Sequence, residues 1–165
     1  MLIDGIAGWR PALDAAPHTL IHNDFNPRNI CLKPDDDGPV APKRSTGLRE
    51  GGWRLCAYDW ELAAIGTPMR DLAELLCFVA PAGISRGAVE DLIDRHARRF
   101  AATAGVPIDR SVWRASFASA LAELLVDRLS VYAMVHRVRP QRFLPRVLRT
   151  WSLLHSLFPV HVVPG

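Results

Sequence analysis

The apolar residues in the second half of the chain recur at helical spacing. After a turn at Gly66–Pro68, a segment that begins at Asp71 carries a continuous apolar stripe. Ser85 precedes the next periodic run as an N-cap, and Asp109 or Ser111 opens the one after it. These further helices are predicted to extend from about Arg86 to Thr103, from Val112 to Val138 and from Phe143 to Leu157.

The first third of the chain alternates short apolar runs with polar turns. Met1–Ala16 has helical spacing, whereas the chain is expected to be extended just before Ile21. Asn29–Leu32 and Trp53–Tyr58 are predicted strands of a long hairpin, and the chain is expected to become helical from Glu61. The pattern predicts one domain over residues 1–165, α+β and mainly α: a short β-hairpin with a flexible loop at 33–52, then a helical subdomain at 66–158.

Composition limits the classes of protein that fit. The 165 residues are 49% hydrophobic and 22% charged with a net charge of +3, values typical of a globular domain that favours an anionic ligand. No apolar run approaches a membrane span in length, and the start does not have the pattern of a signal peptide. Cys31, Cys56 and Cys77 lie in apolar runs without metal-ligand spacing. We therefore expect reduced, buried thiols in a cytoplasmic protein with no membrane partner.

The candidate chemistry lies in the polar turn between two apolar runs, IHNDFNPRNICL at 21–32. His22, Asp24 and Asn29 have the spacing His-x-Asp-x-x-x-x-Asn of a kinase catalytic loop, in which the Asp orients the hydroxyl nucleophile and the Asn ligates magnesium. A second magnesium ligand should follow a nearby strand, and Asp59 does so at the end of WRLCAYD. Two oxygen ligands on paired strands can share one hard cation. The sequence therefore predicts a phosphotransferase site.

Three ordered strings resemble the aminoglycoside phosphotransferase and choline kinase-like family of the protein-kinase-like fold. They are HNDFNPRN (22–29), YDWE (58–61) and GTPMRDLAEL (66–75), with the family's order and gaps. The resemblance implies that Asp24 is the catalytic base and that Asn29 and Asp59 bind Mg²⁺ and the phosphates of ATP or GTP. It also implies a small hydroxyl-bearing acceptor such as an amino sugar or an amino alcohol. His22 is expected to brace the loop, and Asp71 to cap a helix and bond the loop backbone.

The chain departs from this pattern in several places. Asn26 stands where protein kinases often have a lysine, and Arg28 stands where the family often has glycine, with exposure to solvent favoured over phosphate contact. No G-x-G-x-x-G string precedes the loop, so we expect a C-terminal lobe without the N-terminal lobe that grips ATP. A truncated frame, a split enzyme and a lobe that only binds a partner all remain open.

The missing lobe has a structural consequence that can be tested. The face around Leu32, Leu55 and Leu62 should expose apolar area, to be covered by an N-lobe chain or by a second copy. The principal alternative to an enzyme is thus a non-catalytic binding or interaction module on a kinase-derived scaffold.

Three further sets of charged residues have less specific interpretations. Asp35–Asp37 could bind a metal, but a flexible connection is favoured because adjacent acids point in different directions. A cationic acceptor would need an acidic pocket, and the candidates for it are Glu74, Glu90, Asp91, Asp94, Glu123 and Asp127. Nucleic acid is not an expected partner, since a solvated helix face is the favoured interpretation of the basic cluster Arg137, Arg139, Arg142, Arg146 and Arg149.

Overall fold

The fold is α+β and mainly helical, with two small two-stranded sheets, as the sequence predicts. The computed structural model describes residues 6–34 and 53–160. Asp35–Asp37, most of the predicted loop and the first five residues of the predicted N-terminal helix lie outside the described residues. The helices are α1 (Ile6–Asp14), α2 (Met69–Val79), α3 (Arg86–Ala104), α4 (Arg110–Leu124), α5 (Ser130–Val138) and α6 (Leu144–Leu157).

The predicted hairpin is confirmed. Strand β2 (Ile30–Pro34) pairs antiparallel with β3 (Trp53–Ala57), and Ile30 lies opposite Ala57. Cys31 and Cys56 face each other in this register. Both are free and half-buried, so only Cys77 fits the expectation of a buried thiol. The hairpin edges face solvent because each strand has one partner.

A second sheet contradicts the prediction that the chain becomes helical from Glu61. A single 3₁₀ turn, Trp60–Leu62, is followed by strand β4 (Ala64–Gly66), which pairs antiparallel with β1 (Thr19–Ile21). Gly66 lies opposite Thr19, and a β-carbon at Gly66 would come within 2.9 Å of the Ile21 side chain. Three-residue strands are too short to show a period of two, which explains why sequence reasoning missed this sheet.

The long helix predicted over Val112–Val138 is interrupted. A π-helical segment, Leu125–Leu129, separates α4 from α5. Leu124 and Leu129 are both fully buried, because the wider turn brings residues five apart onto nearly the same face. The N-caps at its start and at the start of α3 are confirmed: Asp109 accepts from the backbone N–H of Ser111, and Ser85 from that of Ala88.

The core lies among α1, α2, α3, α4 and α6. Trp9 of α1 and Trp113 of α4 are both buried in it, as are the apolar faces of α2 and α6. The largest fully buried apolar side chains are Trp113, Phe117, Met69, Ile93, Leu121, Leu124, Leu129 and Leu154. No helix within the described parts of the chain is long and apolar enough to cross a membrane.

Exposed apolar side chains cover the outer faces of both small sheets. The expected exposure of Leu32, Leu55 and Leu62 is confirmed at 64%, 39% and 41%. Leu20 and Ile65 extend the patch across the β1–β4 pair. An apolar surface of this kind favours association.

We predict that the chain self-associates through this face. Leu32→Lys combined with Leu55→Lys should shift the sedimentation profile towards monomer, because the added charges must be desolvated in any apolar contact. Val138→Lys is the matched control, since Val138 is exposed on α5 away from the sheets. An unchanged association constant in the double variant would contradict the assignment of this face.

Candidate functional site

The polar turn 22–29 connects β1 to β2 and is held from below by helix α2. Both oxygens of Asp71 accept backbone N–H groups of the turn, Oδ2 from His22 and Oδ1 from Asn23, each at 2.8 Å. Asn23 has a left-handed backbone (φ 59°), which a side chain disfavours unless its surroundings fix it. Burial raises the pKa of Asp71, and the two hydrogen bonds oppose that rise. Asp71 lies in the first turn of α2, whose N-cap is Pro68, so the expected capping role is wrong.

His22 ties the turn to the end of the hairpin. Its ring is buried, and Nε2 lies 2.8 Å from the carbonyl oxygen of Tyr58, the residue before Asp59. The ring also packs against Trp60 at 4.7 Å between centroids. Within the described residues Nδ1 has no hydrogen-bond partner and no acid orients the ring, so the contacts are those of a brace rather than of a base.

Asp24 and Asn29 are in direct contact. The Asn29 amide nitrogen donates to Oδ2 of Asp24 at 2.6 Å and to the Asp24 carbonyl oxygen at 3.0 Å. Asn26, at the position that often holds lysine in protein kinases, donates to the other carboxylate oxygen at 2.9 Å. The amide nitrogen of Asn29 is therefore committed to Asp24, which leaves its amide oxygen as the atom that can bind a cation.

Asp59 lies next to Asn29 across the hairpin. The backbone N–H of Tyr58 donates to the Asn29 carbonyl oxygen at 3.0 Å, so Asp59 follows directly on the residue paired with Asn29. Asp59 has a left-handed backbone (φ 65°) and an exposed side chain that makes no cap hydrogen bond. Among the described residues nothing donates to its carboxylate or to the Asn29 amide oxygen.

These two groups fit magnesium better than they fit a softer metal. Within the described residues no group of three or more His, Cys, Asp or Glu is placed to hold a metal ion. Mg²⁺ needs fewer protein ligands, because it keeps several waters and takes phosphate oxygens as well. One carboxylate and one amide oxygen, both without protein donors, are a suitable set of hard ligands.

Sequence reasoning missed two residues that reach Asp24 from the helical subdomain. Arg128, in the π-helical segment, donates to the Asn23 carbonyl oxygen and places Nη1 3.8 Å from Oδ1 of Asp24. Tyr132, one turn further on, donates to the same carboxylate oxygen at 3.4 Å. The sequence feature that could have indicated them is a pair of charged residues, Asp127 and Arg128, within a mostly apolar stretch of helix.

Arg28 is exposed, as the sequence favoured, and its guanidinium also contacts other residues of the site. Its Nε donates to Asn26 at 3.0 Å, and Nη2 donates to the Tyr132 hydroxyl at 2.8 Å and lies 3.8 Å from Oδ1 of Asp24. The guanidinium lies 5.2 to 5.9 Å from the ring centres of Phe143, Tyr132 and Phe78. The aromatic rings fix it by cation–π contact beside the carboxylate.

Two buried charged residues lie beneath the turn. Glu74 is fully buried, and its Oε1 accepts from Asn26 at 3.2 Å while Oε2 has no partner among the described residues. Burial raises its pKa, and the positive charge of Arg70 opposes that rise. Arg70 is itself buried and pairs with Asp127 at 3.2 Å. The polar turn thus packs against buried charged side chains, some of whose polar atoms have no hydrogen-bond partner among the described residues.

Four of the remaining acids named for a cationic acceptor pair with arginines or line a cavity beside the polar turn, which Asn23 also lines. Glu90 and Asp94 pair with arginines of α4, at 3.9 and 3.5 Å. Glu123 and Asp127 line a cavity of about 190 Å³ bordered by α1, β1 and β4, which Asp24 does not line. In the basic cluster, Arg146 donates to the Phe78 carbonyl oxygen at the end of α2.

No family model, curated protein or solved structure matches this chain. The function of the chain is therefore inferred from the geometry of its own residues.

Proposed function

We propose that this chain is the catalytic lobe of a small-molecule phosphotransferase of the aminoglycoside phosphotransferase and choline kinase-like kind. It would transfer the terminal phosphoryl group of ATP or GTP to a hydroxyl group. The observation that carries the proposal is the 2.6 Å contact between the Asn29 amide and the Asp24 carboxylate, next to Asp59, whose carboxylate has no partner in the described part of the chain. Asp24 would accept the proton of the acceptor hydroxyl, and Asn29 and Asp59 would hold Mg²⁺.

The arrangement separates the two tasks of phosphoryl transfer. On the hairpin side, the Asn29 amide oxygen and the Asp59 carboxylate face no protein donor among the described residues. A magnesium ion bound by them would neutralise charge on the nucleotide phosphates. On the helical side, Asp24 is held by the amides of Asn26 and Asn29, which fix the direction of its carboxylate. Positioning is most of what this reaction requires of a protein.

The contacts that hold the polar turn in place are consistent with this separation of the two tasks. Asp71 holds the backbone directly before Asp24 through the N–H groups at 22 and 23, and the His22 ring contacts the Tyr58 carbonyl oxygen directly before Asp59. A fixed turn limits the conformations of the base, and precise placement of reacting groups is a large part of catalysis. The exposed apolar face around Leu32 and Leu55 would receive the lobe or partner chain that grips the nucleotide.

Isothermal titration of the chain with Mg–ATP tests the proposal. Asp59→Asn and Asn29→Ala should each weaken binding roughly tenfold or more, because each removes one of the few protein ligands of the ion. Asp24→Asn should abolish phosphoryl transfer to a hydroxyl acceptor, because it removes the proton acceptor. Its effect on Mg–ATP binding should be smaller than that of Asn29→Ala, because one side-chain oxygen remains to accept the Asn29 amide.

The matched control is Glu61→Gln, an exposed acid two residues after Asp59 with no partner among the described residues. It should bind Mg–ATP as the unmodified chain does. Equal binding by the Asp59→Asn and Glu61→Gln variants would contradict the magnesium assignment.

One observation favours a second candidate, a non-catalytic binding module. Both carboxylate oxygens of Asp24 already accept hydrogen bonds, and the guanidinium groups of Arg28 and Arg128 lie 3.8 Å away. A carboxylate with both oxygens engaged in this way has less capacity left to accept the proton of an acceptor hydroxyl. The module predicts that the chain does not bind Mg–ATP at all, whereas the phosphotransferase predicts binding that depends on Asn29 and Asp59.

A further inference from the structure

Two positively charged arginine side chains lie close to Asp24. Arg28 and Arg128 come from different parts of the chain, the polar turn and the π-helical segment, and each places one nitrogen 3.8 Å from the same oxygen of Asp24. Two guanidinium groups thus lie beside one oxygen of Asp24, and the buried carboxyl of Glu74 also interacts electrostatically with Arg128. Because each guanidinium has five donors, the Asp24 carboxylate cannot satisfy both groups.

The two arginines are held in place by other contacts. Arg128 donates to the Asn23 carbonyl oxygen, and its side chain is 19% exposed. Arg28 lies over three aromatic rings and donates to Tyr132, and its side chain is 49% exposed. Nη1 of Arg28 has no acceptor among the described residues. Pre-positioned guanidinium donors beside a reactive group are suited to carboxylates and phosphates.

The acids nearest to Asp24 are buried or already engaged by other groups. Glu74 lies beneath Asn26 and is fully buried, and both oxygens of Asp71 accept backbone N–H groups. Asp127 pairs with Arg70 beside the separate cavity lined by Glu123. A cationic acceptor approaching Asp24 would meet Arg28 and Arg128 at close range, which disfavours it by like-charge repulsion.

We infer that the acceptor is a hydroxylated anion, and that Arg28 and Arg128 bind its carboxylate or phosphate group while its hydroxyl lies at Asp24. This inference rests on the proposed function and names its substrate class. The two arginines act in specificity: they orient an anionic acceptor and exclude the cationic amino sugars and amino alcohols. Tyr132 supports them, because burial raises the pKa of its phenol and the hydroxyl stays a neutral hydrogen-bonding group between Arg28 and Asp24.

The test is an NMR titration of the chain with three small probes of similar size: D-glycerate, glycerol and ethanolamine. D-Glycerate should bind about tenfold or more tightly than the neutral and cationic probes, as expected for a charge-assisted hydrogen bond. Arg28→Gln and Arg128→Gln should each remove most of this preference. Arg28→Lys should retain part of it, because the positive charge remains while the fork of donors is lost.

Two measurements separate a specific effect from misfolding. Arg99→Gln is the matched control, because Arg99 is exposed on α3 with no partner among the described residues. It should leave glycerate binding unchanged. Thermal unfolding of each variant shows whether Arg128→Gln, which loses the contact to the Asn23 carbonyl, is still folded; Arg28→Gln is the informative variant if it is not.

An oxyanion beside Asp24 could also be the terminal phosphate of the nucleotide. The glycerate titration is therefore repeated with Mg–ADP and with Mg²⁺ and a non-hydrolysable ATP analogue. Glycerate that still binds in an Arg28-dependent manner supports the inference. Displacement of glycerate by the analogue but not by ADP, with analogue affinity lowered in Arg28→Gln, assigns the arginines to the nucleotide and overturns it.

Equal or tighter binding of ethanolamine would also overturn the inference, as would failure of all three probes to bind. These results are distinguishable from failure of the proposed function. Loss of the phosphotransferase proposal appears as Mg–ATP binding that does not respond to Asp59→Asn, and that titration contains no acceptor.

Discussion

Asp71→Ala is expected to destabilise the chain by about 3 kcal/mol, because it leaves two backbone donors of a part-buried turn without acceptors. The N–H groups of His22 and Asn23 both donate to this carboxylate at 2.8 Å, and the left-handed backbone of Asn23 depends on the surrounding contacts. Chemical denaturation measures the loss in unfolding free energy. Mg–ATP binding should fall as well, since the turn that carries Asn29 loses its support.

Two further variants test whether the loss of stability is due to the Asp71 carboxylate itself. Asp71→Asn retains one acceptor oxygen, so its loss should be smaller than that of Asp71→Ala. Asp91→Ala removes an exposed acid of α3 and should change the free energy of unfolding very little. An Asp71→Ala variant as stable as Asp91→Ala would show that the turn does not depend on this carboxylate.

Arg70→Met should cost about 3 kcal/mol at neutral pH, because it leaves buried Glu74 without a compensating charge. Arg70 is 2% exposed, and Glu74 is fully buried one helical turn further along α2. The positive charge of Arg70 is the main influence that lowers the pKa of Glu74 against the effect of burial. Without it, the ionised form of Glu74 becomes more costly in the folded state.

The pH dependence of this variant follows from the sign of the Glu74 shift. A carboxyl whose pKa is raised by folding binds its proton more tightly in the folded state. Its stabilising contribution is present below the ordinary glutamate value of 4.5 and is lost as the pH rises through the folded pKa. The loss caused by Arg70→Met should therefore shrink on acidification.

A second substitution tests the same explanation. Glu74→Gln in the Arg70→Met background should recover much of the lost stability at neutral pH, because it removes the buried charge and keeps an acceptor for Asn26. A double variant no more stable than Arg70→Met would mean that packing around Arg70, rather than the charge of Glu74, explains the loss.

The sequence was sufficient for the parts of the fold that have a clear period or a cap. Ser85 and Asp109 marked two helix starts correctly, and the apolar runs around 30–32 and 53–57 identified the hairpin. It was insufficient for β4 and for the π-helical segment Leu125–Leu129. A three-residue strand has no measurable period, and one wide turn in a long helix leaves the apolar pattern on both sides nearly in phase.

Of the candidate site, the sequence predicted only the residues that are close together along the chain or across the hairpin. His22, Asp24 and Asn29 are close in sequence, so their spacing indicates their proximity, and the hairpin brings Asp59 next to Asn29. Arg128 and Tyr132 are more than a hundred residues from Asp24 in sequence, and their contact with it depends on how the helices pack. No local pattern encodes such a contact, and the charge that surrounds Asp24 was missed for this reason.

The π-helical segment has one more consequence. A turn of this kind accommodates an extra residue while the helix before it and the helix after it continue along nearly the same line. The wider turn buries Leu129 in the core and, one residue earlier, brings Arg128 to Asp24. An insertion or deletion within Leu125–Leu129 would therefore change the position of Arg128 relative to Asp24.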